Sequence, residues 1–502
     1  MANQIDPSGV VGEVKRQHFI EAGIVAGTAA LLAAWQPAFG AQSRDTPVGA
    51  LTVHQTFGAH RYAEQPGFGW EACRVGAAAD IVLTPDVLRQ EILGFGASFT
   101  DSACYIFDRL APEARRELFA ELFHPSRMAL NVGRTCIGSS DYSTKIYSYD
   151  DSSAPDPDLR RFSIELDRRW IVPMLREARA VNPDIFLLAS PWSPPAWMKD
   201  NNSALGGTMR WRYLPAYANY LTRFVQAYSA EGLAIDALTS QNEVDTDQDG
   251  RMPQCTWPQE MEVEFVGNIL GPALERAGVS TKIWIIDHNY NLWGRAIASL
   301  EDAGVQRHAD GVAWHGYSGK PSAMSRVHDA FPAKHAYWTE GGPNYTSPVY
   351  ATDWARWAAQ FTDILRNWAR CIIAWNFALD ERGKPNLGPF SCGGLITIDS
   401  ATRDIVRSGM YWAMAHFSRS VRRGARVVES RGALEDLAHV AFENPGGGGV
   451  LVLTNRGARI LVPRIVRGNR RTSVTLPPNS VTTLTWPPVA RGAAPPVPFG
   501  VV

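Results

Sequence analysis

YLPAYANYLTRFVQAYSAEGLAIDALTSQNE, residues 213–243, contains the unit from which the middle of the chain is built. Leu214, Tyr217, Leu221, Phe224, Val225 and Tyr228 recur at helical spacing, which predicts a helix over 213–228 with one apolar face. Ile235 to Thr239 follows as an apolar run of strand length and ends in Gln241-Asn242-Glu243. The same alternation extends in both directions. Strand-length apolar runs lie at Ile92-Leu93, Ala129 to Val132, Ile185 to Ala189, Ile235 to Thr239, Ile283 to Ile286, Gly311 to Trp314, Ala336 to Thr339 and Cys371 to Trp375. Helical segments separate them, and Pro112 with Glu113 opens one in the manner of a helix first turn. Eight strands this apolar are buried on both faces, which predicts an α/β fold, a (β/α)8 TIM barrel over residues 92–417. The alternative is a doubly wound open sheet. Gly94-Phe95-Gly96 lacks the third Gly and the acidic partner of its phosphate loop.

Outside the barrel the pattern changes. Short strand-like runs occupy 45–91 (Leu51-Thr52-Val53, Ile81-Val82-Leu83) and 418–486. The latter include Arg426 to Val428, Ala438 to Phe442, Val450 to Leu453, Ser473 to Leu476 and Val481 to Leu484, with a turn at Gly446 to Gly449. Residues 487–502 are rich in Pro, Ala and Gly and read as a loose tail. Residues 1–41 read as an export leader: Lys15 and Arg16, an apolar run from Ile24 to Trp35, then the small-residue site Ala38-Phe39-Gly40. Arg16 to Ile20 is similar to a twin-arginine signal with Gln17 in place of the second Arg. A periplasmic or extracellular protein is expected. The apolar run is too short to span a bilayer, so the mature chain is expected to have no integral membrane segment.

The 502 residues carry 49 basic and 50 acidic side chains, so bulk charge attracts neither nucleic acid nor an anionic membrane. Six Cys are scattered without C-x-x-C spacing, which argues against a zinc site built from them and assigns no disulfide. Seventeen Trp supply flat faces for sugars, although most Trp belong to cores.

Catalytic groups of such barrels stand at the C-terminal ends of strands. The predicted strands end in Arg134, Ser190-Pro191-Trp192, Gln241-Asn242-Glu243, Asp287-His288-Asn289, His315-Gly316-Tyr317, Glu340 and Trp375-Asn376. Glu243 and Glu340 therefore face one another across the mouth from strands four and seven. Two carboxyl groups flanking one bond are what glycoside hydrolysis requires. Burial beside a second carboxylate is expected to keep one of them protonated. His288 and His315 read as hydrogen-bonding residues of the mouth, since no third ligand with suitable spacing is visible. No metal and no cofactor is expected. The acidic loop from Asp245 to Gly250 lacks the calcium-loop pattern and reads as a substrate-side loop.

Several segments are more specific. GFGASFTDSA from Gly94, SSDYS from Ser139, SPWSPPAWMKDNN from Ser190, SQNE from Ser240, DHN from Asp287, WTEGG from Trp338 and WNFALDERGKPN from Trp375 resemble glycoside hydrolase family 30 in identity and order. The flanking strands resemble that family's side β-sandwich, assembled from segments before and after the barrel. The resemblance implies a retaining β-glycosidase acting by double displacement, with Glu243 as general acid/base and Glu340 as nucleophile. It implies that Asn242 meets the sugar 2-OH, that Asp141, Trp192 and Trp375 hold the sugar, and that Arg134 and Tyr317 orient the nucleophile. His315 is grouped with the substrate-binding residues. Gly316 stands where glucosylceramidases usually carry Trp and is expected to remove bulk near the mouth; Val244 stands where Pro is common.

The substrate class implied is a terminal β-glucoside, glucosylceramide-like or other, with an endo-β-1,6-glucanase or β-xylosidase of the same family as the alternative. The expected partner is thus a β-glucoside, β-glucan or glycolipid. A non-catalytic carbohydrate-binding protein is the alternative from another class, and loss of either Glu would mark it.

Overall fold

The computed structural model describes residues 49–246 and 248–488. The leader expected at 1–41, and the tail beyond residue 488, lie outside the described residues. Eight parallel strands close into a barrel in sequential order. They are β1 (Gly94–Phe99), β2 (Val132–Ile137), β3 (Phe186–Pro191), β4 (Ala237–Thr239), β5 (Lys282–Asn289), β6 (Ala309–His315), β7 (His335–Glu340) and β8 (Ala369–Asn376). The helix expected over 213–228 spans Leu214–Ala230 and buries the predicted face. The helix opened by Pro112 runs to Phe123.

Two strands differ from the sequence expectation. The first lies at Gly94–Phe99, not at Ile92-Leu93, so the glycines set aside as a weak phosphate loop are barrel strand. A Cβ on Gly96 would fall on the carbonyl oxygen of Val132 in the neighbouring strand; only a residue without one lets β1 and β2 approach. The second strand begins where the apolar run ends. Ala129 turns out of extended backbone with φ of 53°, and β2 carries Arg134 in its middle.

The lower barrel is filled by Val132, Leu188, Ala237, Trp284, Ala313, Tyr337, Cys371 and Ile373, contributed by β2 through β8. Trp284 and Tyr337 stack across the axis with ring centroids 3.6 Å apart. This apolar plug closes the bottom, so polar chemistry is confined to the layers above it.

The flanking segments form a ten-stranded sheet. Ala50–Phe57 pairs with Ser480–Trp486, and Ile81–Glu91 with Arg426–Arg431, so chain from both sides of the barrel enters one structure. The expected run at 473–476 is displaced: the strand there is Arg470–Ser473. Alternation assigns the two faces. Val440, Phe442, Val450 and Val452 join the barrel's core cluster, while Ala441, Leu451 and Leu453 join a second core with Trp70 and Trp486. Polar bonds pin the seam. His416 is fully buried between Thr483 Oγ1 and Thr56 Oγ1, each 2.8 Å away. Arg366 reaches Ser430 and the carbonyl of His439. Among the described residues no helix is long and apolar enough to cross a membrane.

Replacing Gly96 by Ala is expected to destabilise the fold by at least about 3 kcal/mol, since backbone must move to admit the methyl group. A urea midpoint unchanged from wild type would contradict this account of the β1–β2 contact.

Candidate active site

Above the apolar plug the barrel interior turns polar around a buried ion pair. Arg134 (β2) and Asp287 (β5) are both fully buried and meet at 2.8 Å. Asp287 Oδ2 also accepts from Ser190 Oγ at 2.8 Å and Thr239 Oγ1 at 2.9 Å. Its Oδ1 accepts from Thr339 Oγ1 at 2.8 Å and lies 3.0 Å from His315 Nε2. Burial opposes ionisation, but the Arg134 charge and the His315 and Thr339 bonds outweigh it and hold Asp287 below the usual carboxylate range.

Arg134 distributes its remaining donors upward. Nη1 reaches Glu340 Oε2 at 2.5 Å, Nη2 reaches Asn242 Oδ1 at 2.7 Å, and Nε reaches Ser190 Oγ at 3.1 Å. Its guanidinium carbon lies 4.8 Å from the Trp192 ring centre and 5.5 Å from that of Trp375. Those two rings stack at 5.1 Å. Tyr317 donates to the other oxygen of Glu340 at 3.0 Å. Glu340 is thus held from both sides, by Arg134 inside β2 and by Tyr317 just beyond the end of β6.

Glu243 is placed by strained backbone. Its φ is 52°, rare for a residue with a Cβ, as are those of Ile286 (73°) and Asp287 (44°). The Glu243 amide donates to the Asp287 carbonyl at 3.0 Å. Gln254 Nε2 caps the carbonyls of Asn242 and Glu243 at 2.9 and 2.7 Å. Buried Glu262 braces the β5 side, accepting from the Ile286 amide at 2.9 Å, Ser240 at 2.8 Å and Arg295 at 3.0 Å.

Two imidazoles converge on Glu243 Oε1. His315 Nδ1 is 3.2 Å away and His288 Nδ1 3.4 Å. The outer nitrogen of His288 meets Asp245 at 2.7 Å. Burial raises Glu243, but the neighbouring His288 and His315 imidazoles prevail and hold it below the ordinary carboxylate range. Burial lowers His288, yet Asp245 and Glu243 push it up to about 9. The sequence expectation was that a second carboxylate would keep one carboxyl protonated. Instead, the nearest groups to Glu243 Oε1 are two imidazoles, not a second carboxylate. The three donor atoms of Glu243, His288 and His315 lie within 4.8 Å of one another.

A cavity of about 490 Å³ opens over this layer. Asp141, Trp192, Asn242, Glu243, Tyr317, Glu340 and Trp375 all line it, as do Asp245, Thr246 and Gln248 of the acidic loop. Asp141 is pushed well above the carboxylate range by burial and by the charges of Glu340 and Glu243, and its Oδ1 has no hydrogen-bond partner among the described residues. Arg134 and His315 do not line the cavity. His315, expected to touch substrate, is fully buried, and its ring nitrogens contact Glu243 and Asp287 instead. Gly316 also differs from expectation: a Cβ there would meet Trp338 at 2.8 Å and Gln360 at 3.1 Å, away from the cavity. Met252, His288, Asn289, Asn291, Ser318, Phe390 and Cys392 complete the lining. Of these, only the Asp287-His288-Asn289 strand end carried a sequence signal.

Asp287→Ala is expected to cost about 3–5 kcal/mol, because Arg134 loses its buried counter-charge. A carboxylate depressed in the fold stabilises above its unfolded pKa near 4 and loses that contribution as pH falls further. The acid limb of stability against pH is therefore expected to be flatter in Asp287→Asn than in wild type, as followed by urea denaturation; coincident acid limbs would refute the assignment.

Comparison with known proteins agrees with this architecture. Residues 92–421 match the glycosyl hydrolase family 30 TIM-barrel domain, and 424–484 match the family 30 beta sandwich domain. An endo-1,6-beta-D-glucanase of Neurospora crassa is 34% identical over 430 residues, covering 82% of this chain and 88% of that one. A putative glucosylceramidase 3 of Caenorhabditis elegans is 30% identical, covering 83% and 84%. The solved endo-beta1,6-glucanase BT3312 superposes with a TM-score of 0.80 at 28% identity, covering 87% of this chain and 99% of that one. With both domains matched in order and the relatives covered nearly end to end, the chain belongs to glycosyl hydrolase family 30.

Proposed function

We propose that this glycoside hydrolase is a retaining endo-β-1,6-glucanase that uses Glu340 as nucleophile and Glu243 as general acid/base. The observation that carries the mechanism is that both carboxyl groups line one cavity, with a single imidazole between them. His315 Nδ1 is 3.2 Å from Glu243 and its Nε2 is 3.8 Å from Glu340. Retention is inferred from membership of glycosyl hydrolase family 30, and the azide experiment below tests it.

Glu340, aimed by Arg134 and Tyr317, attacks the anomeric carbon and forms the glycosyl–enzyme bond. The aglycone oxygen leaves as Glu243 delivers the proton it shares with His288 and His315. Glu243 then takes a proton from water, whose oxygen attacks the anomeric carbon and releases Glu340 with configuration retained. Asn242, its carbonyl oxygen tied to Arg134, keeps its amide free to donate to the sugar 2-OH. Trp192 and Trp375 offer apolar wall, and the unpaired Asp141 oxygen offers an acceptor for a hydroxyl.

The sequence alone ranked terminal β-glucosides first. The endo-β-1,6-glucan reading is preferred here because three fungal relatives of that description are 30–34% identical to this chain. A terminal glucosidase is the second reading, supported by the glucosylceramidase relatives at 27–30%. The leader-like residues 1–41 support export to where such glucans are met.

Glu340→Gln is expected to lower kcat/KM by at least about 10³-fold. Azide should rescue Glu340→Gly, yielding the glycosyl azide of opposite anomeric configuration. Glu243→Gln should lose about 10²–10⁴-fold on glucan and far less on aryl glucosides with good leaving groups. Full activity in Glu340→Gln would refute the two-carboxylate mechanism. Early digests of β-1,6-glucan are expected to contain oligosaccharides of several lengths. Release of glucose alone would instead favour the terminal glucosidase.

A further inference from the structure

The corner of the cavity where Glu243, His288 and His315 meet has a feature that glycoside hydrolysis does not require. Both imidazoles turn the same nitrogen to the same oxygen. His315 Nε2 is 3.0 Å from Asp287 Oδ1, and His288 Nε2 is 2.7 Å from Asp245 Oδ1. Each Nε2 faces a carboxylate and donates to it, and each Nδ1 points at Glu243 Oε1, where a cation would take the place of the shared proton. Three ligand-type atoms thus converge from the ends of β4, β5 and β6. His288 Nδ1 forms no hydrogen bond of normal geometry.

We propose that this corner is an inhibitory binding site for a late first-row divalent cation of the Zn²⁺ type, held by Glu243 Oε1 and by Nδ1 of His288 and His315. Spacing supports it. The Nδ1 atoms lie 3.2 and 3.4 Å from Glu243 Oε1, and the three residues bring one ligand atom each within 4.8 Å of one another. Ligands about 2.0–2.1 Å from a tetrahedral zinc sit roughly 3.3 Å apart. The outer contacts also match: a ligating histidine ordinarily gives its other N–H to a carboxylate, as both do here. Two imidazoles with one carboxylate suit zinc or copper better than magnesium or calcium. The charge suits a dication: Arg134 pairs with Asp287 and Glu340, while Glu243 and Asp245 face the two histidines, whose protons a cation would displace. Glu243 and His288 line the cavity, so an ion can enter, and its fourth position would face the space the substrate occupies.

An ion at Glu243 Oε1 takes the oxygen that holds the shared proton, so zinc and productive substrate exclude each other. The binding goes beyond the proposed function; only its inhibitory effect rests on that reading.

The test is calorimetric titration of the chelator-stripped, untagged chain with ZnCl₂, with MgCl₂ as control. A single saturable zinc site and no magnesium uptake are expected. His288→Gln and Asp245→Asn, each first checked for a wild-type melting curve, should weaken zinc binding at least about 10-fold. Asp245 is an exposed loop residue, so its substitution leaves the core intact. Zinc should also inhibit β-1,6-glucan hydrolysis competitively. Absence of saturable zinc uptake by wild type overturns the inference, as does uptake that neither substitution weakens. A chain that binds zinc at this corner but cleaves no glycoside keeps the site and overturns the glycosidase reading; one that cleaves glucan and takes up no zinc overturns the site alone.

Discussion

A single buried charge pair organises the catalytic layer. Arg134 and Asp287 lie in the barrel interior with no solvent access, where an unpaired charge would cost several kcal/mol. The pair is viable because each remaining polar atom is engaged. Asp287 faces donors from β2, β3, β4, β6 and β7, and Arg134 reaches Glu340, Asn242 and Ser190. The position of Glu340 follows from the guanidinium, and that of Glu243 follows from His315, which Asp287 orients. The two carboxyl groups of the proposed mechanism are thus set by one network, not by two independent loops.

This network is held on backbone that a free peptide would avoid. Glu243, Ile286 and Asp287 all take positive φ, and for β-branched Ile286 that is a true outlier. Gln254 and Glu262 supply the compensating bonds from the loop and helix that follow β4. Rigid surroundings are needed to keep such strain, and the ten-stranded sheet contributes to them. Its barrel-facing residues belong to the same core cluster as the barrel helices, and His416 and Arg366 tie the two together.

Much of the fold was legible because barrel strands and helices differ in apolar period and length. The strand-end rule then singled out Glu243 and Glu340 among 50 acidic residues. The errors fall where local apolarity and tertiary position part company. Arg134 was read at a strand end because the preceding run is apolar, yet that run is loop and the arginine sits inside the barrel, where Asp287 neutralises it. His315 was grouped with substrate contacts because it ends a strand, yet its side chain turns inward to two carboxylates. Gly316 was read as space at the mouth, yet its missing side chain faces Trp338.

Residue types and their order determined the repeated strand–helix unit, the flanking sheet strands and the presence of two carboxylates at strand ends, because periodicity and strand position are local properties. Which groups touch those carboxylates was decided only by closure of the barrel. Closure brings β2, β4, β5, β6 and β7 to one axis, and there burial and contact, which have no local signature in sequence, make His288 and His315 rather than a second carboxylate the neighbours of Glu243.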